Sequence, residues 1–477
     1  MDEKIKQALK FVEEQAVEMV DVKFCNLFGR WHHITLPVSQ FNETLFTKGV
    51  AFDGSSVPGF KNLEAGDMVL IPDASTIWID PFWEQKTVSF ICSAHEADTV
   101  ELFKNDPRNI AFRAQQYLKQ TGIADESYWS PEFEFYIFDH INYEYDINFA
   151  SYKIDSYEAD WNTGANDEQN LGNKIPRQGG YHAIPPLDHL YNLRAQMVKY
   201  IEQSGIPVRY HHHEVGGPGQ SEIEIHHHPL LNAGDVTMLI KYIIRMVANK
   251  FNKTVTFMPK PLYNEAGSGM HIHIKLFKNN KPVFFDEQGY AGLSQTALYF
   301  IGGILKHGPA LLAFTNPSTN SYKRLVPGFE APIKSIFGLA NRSAAIRIPK
   351  YATAPEEKRF EFRPSDATCN IYMALAALLM AGIDGVENQI DPQKEGFGPF
   401  DVNIFNLPES KLNESQSLPT SLFEAMTALK QDHQFLLRGD IFSQELIHNW
   451  VNYKIVHEYN EVRNRPHPYE MSLYYDS

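Results

Sequence analysis

The stretch HHHEVGGPGQSEIEIHHH, residues 211–228, is the part of the sequence around which the chain is expected to fold. It contains six histidines and three glutamates, and the turn sequence GGPG separates its two halves. Ser221 to Ile225 alternates polar and apolar residues, which is typical of a strand with one polar face. The stretch therefore predicts a hairpin that brings Glu214 and Glu222 together on facing strands. Carboxylates this close repel unless a cation or a proton lies between them; a solvated, histidine-rich hairpin is the alternative.

The composition is that of a globular protein with room for two or more domains. The chain has 477 residues, of which 43% are hydrophobic and 13% aromatic. Its net charge of −15 argues against a nucleic-acid binder, because such proteins neutralise phosphates with basic side chains. The three cysteines, Cys25, Cys92 and Cys369, lack the spacing of a metal site, and so few cysteines are typical of a reducing compartment. We expect a cytoplasmic protein.

Membrane association is not expected either. The N-terminal sequence MDEKIKQALKFVEEQ is charged and amphipathic, unlike a signal peptide. The most apolar run, Ile371 to Gly382, is too short to span a bilayer and predicts a buried helix.

The order of helices and strands predicts an α+β protein with a boundary between residues 104 and 105. In residues 1–104, a helix from Asp2 to about Ala16 precedes several short strands. Asp106 can cap the next helix and Pro107 suits its first turn, so we assign residues 105–477 to a second domain. Strands are predicted there at residues 129–138, 254–258, 270–277, 343–347 and 359–363, and a loop at 154–178. Helices are predicted at residues 188–204, 235–252, 294–306, 370–388, 421–437 and 443–465.

Four predicted strands carry metal-ligand or charged side chains two residues apart, which places each pair on one face of its strand. The pairs are Glu132 and Glu134, Glu222 and Glu224, His271 and His273, and Glu361 and Arg363. A half-buried sheet face lined with carboxylates is unfavourable without cations. Several glutamate oxygens with a single imidazole suit Mg²⁺ or Mn²⁺ better than structural zinc. For any one pair, the alternative is a solvated strand face.

A second group of side chains is cationic. Its members lie between residues 323 and 363 of an otherwise acidic chain: Lys323, Arg324, Arg342, Arg347, Arg359 and Arg363. Guanidinium groups match the geometry of phosphates and carboxylates. Arg342 and Arg347 are expected at opposite ends of one short strand. Together with metal ligands, and without a P-loop, these residues suggest nucleotide phosphate chemistry on a different scaffold; solvated surface arginines are the alternative.

Two turns each carry one carboxylate: Asp53 in FDGSS, residues 52–56, and Glu330 in PGFEAP, residues 327–332. A carboxylate on such a turn suits closing over a reacting centre and taking up a proton. Ordinary turns are the alternative, since Asp, Gly and Pro are turn residues in any case.

These motifs together resemble type I glutamine synthetases, and the resemblance extends from the N-terminal helix to the closing HPYEMSLYY. The matching motifs are FDGSS at 52–56, PEFEF at 131–135, HHHEV at 211–215, GSGMHIH at 267–273, NSYKRLVPGFEAP at 320–332, NRSAAIRIP at 341–349 and RFEFRPSD at 359–366. The resemblance implies a small N-terminal β-grasp-like domain and a catalytic domain with an antiparallel sheet surrounded by helices. It also implies a homo-oligomer, a dodecamer of two stacked hexameric rings with active sites between neighbouring subunits.

The same resemblance implies a role for each site residue. One divalent ion would be bound by Glu134, Glu214 and Glu222, and a second by Glu132, His271 and Glu361. Glutamate would be bound by Gly267, Arg324 and Arg363, and His273 would lie by the nucleotide. Arg342, Arg347 and Arg359 would bind ATP and steady the transferring phosphoryl group, and Arg342 would also act in substrate binding and catalysis. Ammonium would be bound by Asp53, Ser56, Tyr181 and Glu214, with Asp53 taking its proton. Glu330 would close the site. The reaction would convert ATP, glutamate and ammonium to glutamine through γ-glutamyl phosphate.

Several positions depart from the family pattern. Ala266 stands where an Asn usually contacts the glutamate amino group. Lys275, Arg209 and Glu356 replace residues that commonly contact ATP. Phe405 occupies the position of a tyrosine that is adenylylated in some members, so we predict that this switch is absent; AMP attached to residue 405 would contradict the prediction.

Three other functions compete with glutamine synthesis. A γ-glutamyl ligase of the same family could use a different amine, such as putrescine or ethanolamine. A catalytically inactive relative could act as a regulatory ring, although it would have no need for so many costly metal ligands. A metal-dependent hydrolase would act without ATP.

Overall fold

The computed structural model describes residues 2–61, 66–166, 170–329, 331–402 and 415–477. The sequence predictions about Glu330 and Phe405 lie outside the described residues.

A single sheet with a helix against it forms the N-terminal region. Its strands are β1 Met19–Cys25, β2 Trp31–Pro37, β3 Val50–Asp53, β4 Asp67–Pro72, β5 Trp78–Asp80 and β6 Thr87–Glu96. The order is β2-β1-β6-β4-β3 with β5 beside β6; β1 runs parallel to β6 and the other pairs are antiparallel. Helix α1, Glu3–Glu14, buries Ala8 and Val12 in the core beside this sheet. The predicted helix and small sheet are thus confirmed.

The remainder of the chain is organised around a larger, mainly antiparallel sheet. Its described strands are β7 Glu126–Phe138, β10 Val208–His213, β11 Gln220–Ile225, β12 His228–Pro229, β13 Thr254–Thr256, β14 Ile272–Lys278, β15 Lys281–Pro282, β16 Phe337–Leu339, β17 Ile346–Ile348 and β18 Phe360–Phe362. The central path is β10-β11-β7-β14-β18-β17-β16. The predicted hairpin of residues 211–228 is the β10–β11 pair. A separate hairpin is formed by β8, His140–Asp146, and β9, Phe149–Asp155.

Helices surround the larger sheet, as expected for the α+β class. They are α2 Pro107–Thr121, α3 Tyr191–Gln203, α4 Leu230–Lys250, α5 Gln295–Lys306, α6 Gly308–Thr315, α7 Ser321–Arg324, α8 Ile371–Glu387, α9 Leu422–Gln431, α10 Gln434–Leu437, α11 Gln444–Tyr453, α12 Asn460–Arg463 and α13 Pro468–Tyr474. The apolar run at residues 371–382 lies inside α8 and is buried, as predicted. The Asp106 carboxylate accepts a hydrogen bond from the Arg108 N–H and caps α2, which ends at left-handed Gly122.

Three sequence predictions about the second domain need correction. The strand containing Arg347 spans only Ile346–Ile348, so Arg342 lies before it and not at its other end. The loop begins after Asp155, because β9 occupies the start of the predicted range. The helix predicted over 421–437 is interrupted at Asp432, whose backbone leaves the helical region while its carboxylate contacts His307.

None of the described helices is by itself long and apolar enough to cross a bilayer. Helices α5 and α6, bent by 74° at their junction, reach the length and apolar composition of a span only when the two are taken together.

Candidate metal and substrate site

Strand register brings the acidic pairs of the sequence together. In the antiparallel β7–β11 pair, Glu222 lies opposite Glu134 and Glu224 lies opposite Glu132. Phe133, which lies between Glu132 and Glu134 in the sequence, is fully buried in the core. Because side chains alternate between the two faces of a strand, this face must carry the glutamates together.

Glu132, Glu134 and Glu222 border a cavity of ≈ 400 Å³, whereas Glu224 does not line it. Most residues that the sequence assigned to the site line this cavity: Glu132, Glu134, Tyr181, Glu214, Glu222, Gly267, His271, Arg324, Arg342, Arg347, Glu361 and Arg363. Segments as far apart in sequence as residues 132 and 363 therefore meet at one place.

One compact set of possible metal ligands consists of Glu132, His271 and Glu361, whose ligand atoms lie within 4.8 Å of one another. We call it the charge-balanced set. His271 Nδ1 lies 2.8 Å from Glu132 Oε2 and 3.5 Å from Glu361 Oε1. Arg347 and Arg363 each donate a 2.5 Å hydrogen bond to Glu361. Burial disfavours the charge of Glu361, but Arg363 and His271 lower its pKa to about 2, so this carboxylate stays ionised.

A second compact set consists of His212, Glu214 and Glu222, and we call it the acid-rich set. His212 Nε2 lies 3.7 Å from Glu222 Oε1. Burial and the neighbouring Glu134 and Glu222 raise the pKa of Glu214 to about 9. Burial and the charges of Glu132 and Glu134 likewise raise the pKa of Glu222 well above its usual range. This half of the cavity therefore favours either bound protons or a cation.

Glu134 lies at the same cavity but does not belong to either compact set of the described residues. Its Oε2 accepts a 2.6 Å hydrogen bond from the Gly269 N–H, and its Oε1 lies 3.7 Å from His271 Nδ1. Its charge still raises the pKa of both Glu214 and Glu222. Its role as a direct metal ligand stays a prediction.

Glu224 and His273 form a third compact set with Glu132. His273 is fully buried, and its Nε2 lies 2.7 Å from Glu132 Oε1. Its Nδ1 has no hydrogen-bond partner within the described part of the chain. Arg209 forms an ion pair with Glu224, so this set already contains a cation. Sequence reasoning noticed Glu224 as an acidic residue but did not assign it to a metal.

Arg324 is a buried cation at the wall of the cavity. It donates hydrogen bonds to the backbone carbonyls of Pro364 at 2.7 Å, Arg363 at 3.2 Å and Ser365 at 3.3 Å. Burial lowers its pKa, whereas Glu134 opposes that effect. Because carbonyls satisfy its donors without cancelling its charge, Arg324 provides a positive potential for an anionic ligand.

Two other arginines lie near Tyr351. The guanidinium of Arg359 is 5.4 Å from the Tyr351 ring and that of Arg347 is 6.0 Å from it. Among the described residues, the buried Nε of each arginine has no hydrogen-bond acceptor. Arg359 does not line the ≈ 400 Å³ cavity itself.

The loop before β14 approaches Arg324 closely. A Cβ atom at Gly267 would lie 2.6 Å from the Pro259 carbonyl oxygen and 2.7 Å from Arg324 Cγ, so only glycine fits there. The neighbouring Ala266 carbonyl accepts a 2.6 Å hydrogen bond from Tyr136. This hydrogen bond and the close approach at Gly267 hold the loop in place.

Tyr181 lies at another wall of the cavity, half exposed. Burial and the nearby Glu214 raise the pKa of its hydroxyl, while Arg342 opposes the shift. The tyrosine hydroxyl, the acid-rich set and a guanidinium thus lie together.

Asp53 and Ser56 do not line the cavity within this chain. Asp53 is an exposed residue that accepts hydrogen bonds from the Ser55 hydroxyl at 2.6 Å, the Ser55 N–H at 2.8 Å and the Ser56 hydroxyl at 2.7 Å. These bonds, led by the one from the Ser55 hydroxyl, lower the pKa of Asp53, so it is ionised at neutral pH. Contribution of Asp53 to a neighbouring subunit's site stays a prediction.

Sequence reasoning missed several lining residues, including His212, Gln178 and Tyr351. His212 could have been found, because a tight hairpin through residues 216–219 places it opposite Glu222. Gln178 lies in a segment assigned only as a loop, and nothing in its local sequence indicates a site.

A cavity that combines divalent-cation ligands with buried arginines defines a class of protein, the metal-dependent enzymes that act on anionic substrates. Family models identify the particular family. The model for the glutamine synthetase β-grasp domain matches residues 16–97, and that for the glutamine synthetase catalytic domain matches residues 104–474. The chain belongs to the glutamine synthetase family.

Individual relatives agree with this assignment. The chain is 48% identical to a glutamine synthetase of Frankia alni over 99% of both chains, and 48% identical to one of Streptomyces coelicolor over 98% of both. Its fold is similar to that of a Plasmodium falciparum glutamine synthetase, with a TM-score of 0.88, 28% identity and 98% coverage of both chains.

Proposed function

We propose that this chain catalyses the ATP-dependent ligation of ammonium to the side-chain carboxylate of L-glutamate, through γ-glutamyl phosphate, giving L-glutamine, ADP and phosphate. The observation that carries the proposal is the single cavity that contains the charge-balanced set, the acid-rich set and buried Arg324. Two anions, ATP and glutamate, must meet in this reaction, and their like charges have to be neutralised where they meet. The glutamine synthetases to which the chain is 48% identical support the same reaction.

Divalent cations are the cofactors that the donor groups fit, because glutamate oxygens with an imidazole suit Mg²⁺ or Mn²⁺. We propose two ions in each site, one held by Glu134, Glu214 and Glu222 beside His212, and the other by Glu132, His271 and Glu361. The raised pKa of Glu214 supports a cation in the acid-rich set, since a cation removes the need for protons there. When bound, such ions neutralise phosphate and carboxylate charge.

The glutamate substrate would bind at the wall formed by Gly267, Arg324 and Arg363. Arg324 is buried without a directly bonded carboxylate among the described residues, which leaves its charge for a substrate carboxylate. Arg363 lies 2.5 Å from Glu361 and would contact the glutamate substrate from the side of the charge-balanced set.

The nucleotide would bind beside His273, Arg347 and Arg359, with Arg342 near the transferred phosphoryl group. Within the described part of the chain the Nε groups of Arg347 and Arg359 have no acceptor, so they are donors suited to phosphate oxygens. Residues that depart from the family pattern form contacts inside the protein. Lys275 donates a 3.0 Å hydrogen bond to the Glu356 carbonyl, and Arg209 forms an ion pair with Glu224.

Ammonium would bind between Tyr181 and Glu214 of one subunit and Asp53 and Ser56 of its neighbour. The exposure of ionised Asp53, away from the cavity of its own chain, supports this arrangement. Asp53 would take the proton from ammonium, and Glu330 would shield the acyl phosphate from water. This arrangement needs a homo-oligomer, which we propose to be a dodecamer of two hexameric rings.

Two further assignments complete the proposal. We place the division between the β-grasp-like and catalytic domains at residues 1–104 and 105–477. We assign the protein to the cytoplasm, which agrees with three buried cysteines that form no disulfide.

The decisive experiment is a glutamine-formation assay with ATP, glutamate and Mg²⁺ or Mn²⁺, in which ammonium is compared with putrescine and ethanolamine. We expect glutamine from ammonium, one phosphate released per glutamine, and little reaction with the larger amines. Glu132→Ala and Asp53→Ala should both lose this activity, since one removes a metal ligand and the other the proton acceptor.

Each alternative function predicts a different result in the same assay. A γ-glutamyl ligase for another amine would form no glutamine from ammonium. An inactive regulatory ring would release no phosphate with any amine. A hydrolase would act without ATP.

A further inference from the structure

Lys260 makes a contact at the cavity wall that the proposed roles do not explain. Its Nζ lies 3.6 Å from the centroid of the Phe329 ring, within the range of a strong cation–π interaction. Phe329 and Gly328 line the ≈ 400 Å³ cavity, whereas Lys260 does not.

Lys260 is itself fixed to two other segments of the wall. Its backbone N–H donates a 2.7 Å hydrogen bond to Asn320 Oδ1, and its carbonyl accepts a 3.0 Å bond from Asn320 Nδ2. Asn320 immediately precedes α7, the helix that carries Arg324. The Lys260 ammonium also donates to the Glu265 carbonyl, next to the Ala266–Gly267 loop. The Lys260 side chain therefore connects Phe329 with the loop that contains Gly267, while the backbone of the same residue is fixed to Asn320.

The electrostatics of Lys260 agree with this connecting role. Burial lowers its pKa to about 8, and Glu265 opposes the shift, so the side chain is mainly a cation at neutral pH. The ammonium group donates its hydrogen bond to a carbonyl and not to a carboxylate, which leaves the positive charge for the π face of Phe329.

We propose that Lys260 is a positioning residue that holds the Gly328–Phe329 wall against the glutamate-binding loop and so limits the access of water to the acyl phosphate. The part that concerns the acyl phosphate rests on the proposed function. The part that concerns the wall depends only on the contacts described above.

The test combines a structural readout with a catalytic one. Lys260→Met removes the charge and keeps the length of the side chain, Lys260→Arg keeps the charge, and Phe329→Leu removes the ring. Lys250→Met is the matched control, because exposed Lys250 lies 5.3 Å from the Phe82 and Tyr200 rings, away from the cavity. Hydrogen–deuterium exchange of residues 325–329 is measured in the full-length protein without substrates, and glutamine formed per phosphate released is measured with them.

We expect K260M and F329L each to speed exchange of residues 325–329 and to lower the ratio of glutamine to phosphate by roughly three- to ten-fold. The double variant should be no worse than either single variant, because both remove the same contact. K260R should restore both readouts, and K250M should leave both unchanged.

If residues 325–329 of K260M exchange hydrogen at the wild-type rate, the positioning role is overturned, whatever the activity of the variant. Equal effects of K260M and K260R, or additive effects of K260M and F329L, also overturn it. If the wild-type protein forms no glutamine, the proposed function fails, and the exchange measurement still decides whether Lys260 holds the wall.

Discussion

Replacing Glu222 with glutamine should change stability in opposite directions with and without divalent ions. Glu222 is only 8% exposed, and burial together with Glu132 and Glu134 disfavours its charge. Glutamine has almost the same shape but no charge, so E222Q removes this repulsion from the acid-rich set. In a chelator, the variant should be at least as stable as the wild type. In saturating Mg²⁺ or Mn²⁺, it should be less stable because a metal ligand has been lost.

The expected difference follows from the linkage between binding and folding. An ion present at about 100 times its Kd stabilises the folded state by about 2.7 kcal/mol, so two such ions give about 5.4 kcal/mol. If E222Q weakens ion binding at the acid-rich set tenfold, that ion still stabilises the folded state by about 1.4 kcal/mol. If the variant no longer binds that ion, this stabilisation is zero. E222Q should therefore gain about 1.3 to 2.7 kcal/mol less from the ions than the wild type does. Denaturant unfolding in EDTA and in saturating ion, at one protein concentration, measures this quantity.

Glu158→Gln is the matched control, because Glu158 is also buried but lies outside the ligand sets. It lies 3.2 Å from His213 Nε2 and accepts a hydrogen bond from the His189 N–H. E158Q should lose stability by the same amount with and without ions. The reasoning about the acid-rich set would be refuted if E222Q showed this behaviour, with an equal loss in EDTA and in saturating ion.

Three other predictions test the glutamate site, the subunit arrangement and a buried histidine. Arg324→Met should raise the KM for glutamate by roughly 10- to 100-fold, because a charged hydrogen bond to the substrate is lost, while the KM for ATP changes little; equal effects on both constants would contradict this. The Asp53→Asn and Glu132→Ala variants should each be inactive alone. If each site uses Asp53 and Glu132 from different subunits, co-expression of the two variants should leave about a quarter of the sites intact. No recovery of activity in the purified mixed oligomers would argue for a site within one chain. His307 lies 2.8 Å from Asp432 and 3.0 Å from Asp384, and although burial lowers its pKa, the two carboxylates raise it overall. Its contribution to stability should therefore be complete below its unfolded pKa of about 6.5 and disappear as pH rises through the higher folded pKa. Compared with His307→Gln, the wild type should lose more free energy of unfolding between about pH 6 and pH 8.5; parallel pH profiles would contradict the assignment.

The sequence by itself determined the local elements that carry the site. Alternation over residues 221–225 predicted a strand, and the GGPG turn predicted its hairpin partner. Asp106 and Pro107 predicted the start of α2, and the apolar run at 371–382 predicted a buried helix. These features depend on contacts between residues close in sequence, so composition and periodicity suffice to identify them. The i, i+2 spacing of Glu132 and Glu134 likewise fixed the face that both share.

Only the tertiary structure decided how these faces combine. A period of two gives the face of a strand but not its register, and the register of β7 with β11 is what places Glu222 opposite Glu134. The division into a charge-balanced and an acid-rich set depends on Arg347, which reaches Glu361 from the neighbouring strand β17; the i, i+2 spacing of Glu361 and Arg363 was visible in the sequence, but the Arg347 contact was not. The Lys260–Phe329 contact and the interruption of the helix at Asp432 also depend on residues distant in sequence. A side chain's pKa is set by burial and by neighbouring charges, and both exist only once the chain has folded.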